Sequence, residues 1–216
     1  MKKRIDLFPV SYYKGTVQDN EKLKEIILPI VEKTVDKCKT PEGWLTTNIK
    51  TSFENEKISN ELANCQDLKC QYFNVIKGFF DDKFRLEIDD IWYNSYTNGE
   101  YQEAHNHCGD ALAPTHFACV HFLSYNPKIH SPLAFIDPMD TLRHLSINMK
   151  SEGYEDRHLP QVKEGSVVMF PAYLKHEVKS YPPTPDEPRI TVSFNITVTE
   201  YAGLDDDYDY DDDDEN

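Results

Sequence analysis

The sequence predicts a mainly β fold with N-terminal helices: a double-sheet jelly roll with helices packed on one side. Three observations predict it. Apolar residues at helical spacing are confined to the part of the chain before about residue 84. From Arg85 onward, short runs rich in Val, Ile, Phe and Tyr replace them. Prolines and turn signals separate these runs; the chain holds 13 Pro, 13 Tyr and 11 Phe but only 8 Gly.

Asp19 is placed to cap a helix over residues 21–38, in which Leu23, Ile26, Ile27, Ile30 and Val31 follow one stripe. Pro29 should kink or interrupt it. A second helix is expected from near Ser59, carrying Leu62, Leu68, Tyr72, Val75, Ile76 and Phe79. Between the two, residues 43–55 lack a clear period and read as loop with an uncertain strand. The run RLEIDDIWYNSY alternates, which puts Trp92, Asn94 and Tyr96 on one face and Tyr93 and Ser95 on the other. Asn98-Gly99 marks the turn that follows. Further strands are expected over residues 116–124, 133–136, 166–170, 176–179 and 189–199, with a turn at Glu164-Gly165. No internal repeat is visible.

A chain of 216 residues can bury a sizeable core, and one domain is expected over residues 1–203. Its helical part reaches about residue 84, and its jelly-roll core spans about 85–200. The net charge of −15 is unevenly spread: residues 205–215 hold nine of the 38 acids and no base. Self-repulsion should keep the tail, 204–216, disordered. Such a tail solubilises the chain or docks a basic partner. The chain lacks the basic footprint of a nucleic-acid binder, so no nucleic acid is expected as partner. No apolar stretch reaches the ~18 residues that span a bilayer, and no membrane partner is expected. The five cysteines are odd in number and form no CxxC pair, which fits free thiols in a reducing cytoplasm.

The chemistry-bearing residues are histidines. His105 and His107 stand two apart, so on a strand they share a face. His176 follows the run Phe170-Pro171-Ala172-Tyr173-Leu174-Lys175 far downstream and can complete a three-point cap. Imidazole suits iron, zinc, copper and nickel, and the usual non-haem oxygenase site is two histidines and one carboxylate. Here the position two after His105 is His107, not an acid. Three arrangements remain open: His105, His107 and His176 together; His107, Asp110 and His176 across a bulged loop; or His107 and His176 with water beside Gly109. The first is preferred. Cys108, inside the same loop, reads as a filler thiol rather than a soft ligand. With eight histidines in the chain, an HxH by itself is more often a surface pair than a ligand pair. His116 and His121 lie five apart on one strand and face opposite sides.

Arg189, Thr191, Ser193 and Asn195 alternate with Ile190, Val192, Phe194 and Ile196. On a surface strand the polar set would meet water. In a sandwich it can line a cavity, where the planar guanidinium matches a carboxylate with two parallel hydrogen bonds and Thr191 or Ser193 adds a hydroxyl. Tyr93, Tyr96 and Trp92 are candidates to line a substrate cleft, Trp92 more readily as a core residue.

Trp92, Asn94, Gly99, Gln102, His105, His107, then Phe135, Asp137, Pro138, Gly165, Val168, Phe170-Pro171, Leu174, His176, Val178 and Arg189-Ile190 with Val192-Ser193-Phe194-Asn195 follow in order. Together they resemble the 2-oxoglutarate- and iron(II)-dependent oxygenases of phages and marine bacteria, which are related to the prolyl-hydroxylase group. The resemblance covers roughly residues 91–199. It implies a double-stranded β-helix. It also implies iron ligation by His105 or His107 and His176, and an Arg189 that binds the distal carboxylate of 2-oxoglutarate. The implied cofactors are Fe(II), 2-oxoglutarate and O2. The implied reaction is hydroxylation of a C–H bond in a small-molecule or peptide substrate, with release of succinate and CO2. Two other readings stand beside it: a non-catalytic metal-binding jelly roll, and a three-histidine dioxygenase that does not use 2-oxoglutarate.

Overall fold

The structure is a computed structural model that describes residues 10–45, 48–80, 84–108, 115–139, 155–184 and 186–201. Gly109, Asp110 and the acidic tail, about which the sequence raised expectations, lie outside the described residues.

Helix α1 (Asn20–Thr34) starts where Asp19 accepts a hydrogen bond from the Lys22 N–H at 2.9 Å. Of the expected kink or interruption at Pro29, the interruption does not occur: the helix continues through it. Its buried face of Leu23, Ile27 and Val31 lies against the sheet, and that packing outweighs the one backbone bond proline removes. A short 3-10 turn, Val35–Lys37, ends it. The single second helix expected from Ser59 is two: α2 (Glu56–Ala63) and α3 (Gln66–Lys77). The backbone becomes extended at Cys65 (φ −73°, ψ 105°). The sequence carries the reason: Ile58 and Leu62 form one stripe and Leu68, Tyr72 and Ile76 another, and the step of six between Leu62 and Leu68 fits no single helical face.

The strands are β1 (Tyr13–Thr16), β2 (Lys50–Thr51), β3 (Phe84–Tyr96), β4 (Gln102–His105), β5 (Phe117–Ser124), β6 (Leu133–Ile136), β7 (Arg157–His158), β8 (Ser166–Pro171), β9 (His176–Val178) and β10 (Arg189–Tyr201). The short β1 and β7 carry no sequence signal of their own. A six-stranded sheet has the order β1-β8-β5-β10-β3-β2, and a four-stranded sheet the order β4-β9-β6-β7. Every pairing is antiparallel. From β3 onward the chain passes back and forth between the two sheets, which is the winding of a double-stranded β-helix.

The outer face of the large sheet buries Ile91, Tyr93, Cys119, Val192, Phe194 and Ile196 under the three helices. Its inner face meets the small sheet through Ala118, Val120, Phe122, Val168, Phe170, Leu133, Phe135 and Val178. Strand alternation therefore sorts β3 and β10 as expected: their apolar sets go to the helices and their polar sets go inside. Gly99 holds the turn from β3 to β4 at φ +76°, and a Cβ there would sit 2.7 Å from the Tyr181 carbonyl oxygen. That turn carries the chain from the large sheet to β4, at the edge of the small one.

Candidate metal centre

β4 and β9 are neighbours in the small sheet, and their register sets His105 directly opposite His176. The chain leaves β4 after His105, and the His107 N–H bonds the Ala172 carbonyl at 2.9 Å, which ties this loop to the β8–β9 turn. The three imidazoles converge. Ring centroids are 4.2 Å apart for His105 and His176, 5.2 Å for His107 and His176, and 5.5 Å for His105 and His107. One nitrogen from each ring lies within 4.8 Å of the others, and among the described residues this is the one group of such side chains that could hold a metal ion.

Each ring has its Nδ1 committed. His105 Nδ1 meets the Glu103 carbonyl at 2.8 Å, His176 Nδ1 the Leu174 carbonyl at 3.1 Å, and His107 Nδ1 the Asn195 side-chain oxygen at 2.7 Å. A carbonyl oxygen only accepts, so each Nδ1 carries the proton and each Nε2 keeps its lone pair. Outer hydrogen bonds of this kind orient metal-ligating histidines. Burial holds all three rings neutral. It lowers His105, pushes His107 down to about 4, and with the neighbouring rings sets His176 well below the ordinary 6.5. Neutral imidazole is the form a metal binds. The Gln102 amide nitrogen, 3.4 Å from His105 Nε2, is the nearest protein group to that lone pair that the structure records.

The rings open onto a small cavity between the sheets. Its far wall is the polar face of β3 and β10, paired as Tyr96 with Arg189, Asn94 with Thr191, and Trp92 with Ser193. Arg189 is 3% exposed, donates from Nε to the Ser131 carbonyl at 3.1 Å, and lies over the Tyr96 ring at 4.6 Å. Its Nη1 is buried with no hydrogen-bond partner among the described residues. Thr191 lines the same cavity, and Ser193 Oγ accepts from Asn94 Nδ2 at 3.2 Å.

The structure thus brings together His105, His107, His176, Arg189, Thr191 and Ser193 in one cavity. It separates the three aromatics considered for the cleft. Trp92 and Tyr96 line the cavity, whereas Tyr93 turns to the helices and bonds Thr34 and Cys38. Strand parity settles this, since Trp92 and Tyr96 are even steps apart and Tyr93 is not. His116 and His121 stay out of the cavity: His116 Nδ1 accepts from the Val198 N–H, and His121 is buried under the helices. Cys108 is exposed, and all five cysteines are unpaired. Asn195 was named only as part of the polar face of β10, and Trp44 was not named at all. Asn195 continues the polar alternation of β10, a signal present in the sequence. Trp44 stacks on His105 at 6.4 Å because Glu103 and Tyr101 clamp the backbone of Leu45, a long-range tie with no local mark.

Residues 90–195 match the family model described as "Putative 2OG-Fe(II) oxygenase". That span contains every cavity residue named above. No curated protein matches the chain. Among solved structures, the fold is similar to a Pseudomonas putida prolyl-4-hydroxylase, at 11% identity over 87% of this chain and 92% of that one, with a TM-score of 0.52. It is similar to HygX from Streptomyces hygroscopicus, solved with nickel, 2-oxoglutarate and hygromycin B bound, at 11% identity over 88% and 84% of the two chains and a TM-score of 0.55. It is also similar to SnoN, a non-heme alpha ketoglutarate dependent epimerase from nogalamycin biosynthesis, at 12% identity over 90% and 82% and a TM-score of 0.57. These likenesses establish the fold as the double-stranded β-helix; at such identities the reaction has to be argued from the site.

Proposed function

We propose that the chain is a 2-oxoglutarate- and Fe(II)-dependent dioxygenase that hydroxylates a C–H bond of a small-molecule or peptide substrate. One observation carries the reading: a single cavity holds three neutral imidazoles whose ring nitrogens converge and a buried arginine whose Nη1 has no partner among the described residues. The imidazoles alone would suit zinc or nickel as well as iron. The orphaned guanidinium is what points to an anionic co-substrate, because a buried donor without a partner is costly unless a ligand supplies one.

His105, His107 and His176 would hold the metal through Nε2, and Arg189 would take the distal carboxylate of 2-oxoglutarate, with Thr191 adding a hydroxyl and Ser193 acting through Asn94. Iron, 2-oxoglutarate and O2 together supply the oxidising power: one oxygen atom enters the substrate as hydroxyl, the other enters succinate, and CO2 leaves. The protein binds, orients and keeps water out. Its three ligands carry no charge, so a bound divalent metal keeps its full positive charge for an anionic co-substrate. That HygX was solved with 2-oxoglutarate and a metal, and that another neighbour is a prolyl-4-hydroxylase, supports this class of cofactor and substrate.

The replacement of an expected acid by His107 favours a second reading, a three-histidine dioxygenase that acts without 2-oxoglutarate. One experiment separates them. Under anaerobic conditions, Fe(II) and 2-oxoglutarate are added and the weak visible charge-transfer band is recorded; O2 is then admitted and succinate measured. The proposal expects a band and succinate from the wild type, no band from His176→Ala, and a loss of both with Arg189→Ala at moderate 2-oxoglutarate. Absence of band and succinate in the wild type overturns it. Arg189→Ala with unchanged oxygen consumption supports the second reading.

A further inference from the structure

Among the described residues, three buried side chains on one wall of the metal cavity keep a polar atom without a partner: Arg189 Nη1, Trp92 Nε1 and Asn94 Oδ1. Each residue is at most 4% exposed. A buried donor or acceptor left unpaired is uncommon in native proteins and calls for an explanation. The proposed co-substrate accounts for Arg189 and leaves the other two unexplained.

The Trp92 indole cannot turn its N–H to another partner. It is stacked beside His107 at 5.8 Å with 27° between the planes, and the Phe53 ring packs edge-on against it at 5.0 Å. Its N–H is therefore a fixed donor beside one of the three converging imidazoles. Asn94 is different, because its side chain's one partner among the described residues is the Ser193 hydroxyl, 3.2 Å from Nδ2. A hydroxyl donates as readily as it accepts. A half-turn of the carboxamide lets Oδ1 accept from Ser193 and aims Nδ2 into the cavity. The pair Asn94–Ser193 can thus show the cavity an acceptor or a donor, and an anionic ligand selects the donor.

Resting on the reading of this cavity as an iron and 2-oxoglutarate site, we propose that Trp92 and Asn94 are further co-substrate-binding residues. The register orders the wall as Arg189 with Tyr96, Thr191 with Asn94, and Ser193 with Trp92, running from the guanidinium toward the histidines. A dicarboxylate anchored at Arg189 passes Asn94 and ends beside Trp92. Trp92 Nε1–H donates to the carboxylate at the metal end, and the turned Asn94 Nδ2–H donates to the oxygens between. Ser193 is a positioning residue that holds the turned carboxamide.

The test is a binding titration of 2-oxoglutarate into anaerobic protein loaded with Mn(II), which cannot turn over. Tryptophan emission and heat are both recorded. The chain has only two tryptophans, so a Trp44→Phe background isolates the emission of Trp92. In that background, 2-oxoglutarate should change the emission. Trp92→Phe should weaken 2-oxoglutarate binding about tenfold or more, the range for losing a hydrogen bond to a charged acceptor. Asn94→Asp, nearly the same shape but unable to donate, should weaken it by more than Asn94→Ala, through repulsion. Mn(II) affinity should stay within a few-fold in all of them, which shows that the cavity is still folded. Ordinary 2-oxoglutarate affinity in Trp92→Phe and both Asn94 variants, alongside weakened binding in Arg189→Ala, overturns this inference alone. No binding to the wild type overturns it together with the function it rests on.

Discussion

His107 and Asn195 are in direct contact, Nδ1 to Oδ1 at 2.7 Å, and the Asn195 amide nitrogen in turn lies 3.4 Å from Asp90. This is the one candidate ligand whose outer partner is a side chain; His105 and His176 are held by backbone carbonyls. On the proposed assignment, mutation can therefore loosen His107 alone. Asn195→Ala should reduce divalent-metal affinity about tenfold or more, the usual cost of losing such an outer bond. Calorimetric titration of Mn(II) checks it. Equal affinity in the variant and the wild type would show that the metal complex does not use this bond.

Arg189 sets function against stability. Its guanidinium is desolvated, rests over the Tyr96 ring, and leaves Nη1 unpaired. A buried charge with incomplete pairing stabilises a fold poorly, and an apolar replacement of similar length is often neutral or stabilising by ~1–4 kcal/mol. Arg189→Met should thus melt at the same temperature as the ligand-free wild type or a few degrees higher. Added 2-oxoglutarate, with metal present, should raise the melting point of the wild type and leave the variant unmoved. A variant that melts far below the wild type would show that the arginine holds the sandwich together.

Much of the fold is legible in the sequence because alternation on the long strands is nearly complete. The parity of β10 sends Ile190, Val192, Phe194 and Ile196 to the helices and Arg189, Thr191, Ser193 and Asn195 inward. The convergence of three histidines follows from the pairing of β4 with β9, and the residues HxH and FPxxLxH mark both places. What local pattern could not supply was partnership at a distance. Whether Trp92 is core or cavity wall depends on which face of β3 the helices cover. The strap that sets Trp44 on His105 depends on Glu103 and Tyr101 more than fifty residues later. The division of the second helix was readable from the step between Leu62 and Leu68. The continuity of α1 through Pro29 was not, because it is tertiary packing that overrides the proline.

His121 predicts how the fold responds to acid. It is buried between α1, α3 and β5, where Nδ1 accepts from the Tyr72 hydroxyl and Nε2 donates to Asn20 Oδ1, both at 2.9 Å. Burial pushes it down to about 3. Tyr72 and Cys119 beside it are pushed up by burial, so both are neutral in acid and offer a proton on His121 no counter-charge. The unfolded chain takes up a proton on this ring near pH 6.5, whereas the folded chain does so only near pH 3. Stability is therefore intact above about pH 6.5 and falls as the pH drops through that window, at up to ~1.4 kcal/mol per pH unit from this one group. Between pH 7 and pH 5 the loss from His121 comes to about 2 kcal/mol. Gln in its place can still donate to Asn20 and accept from Tyr72, and it does not titrate. Urea unfolding at both pH values should show His121→Gln losing about 2 kcal/mol less than the wild type on acidification. Equal losses would mean that the ring takes up its proton in the folded state without difficulty.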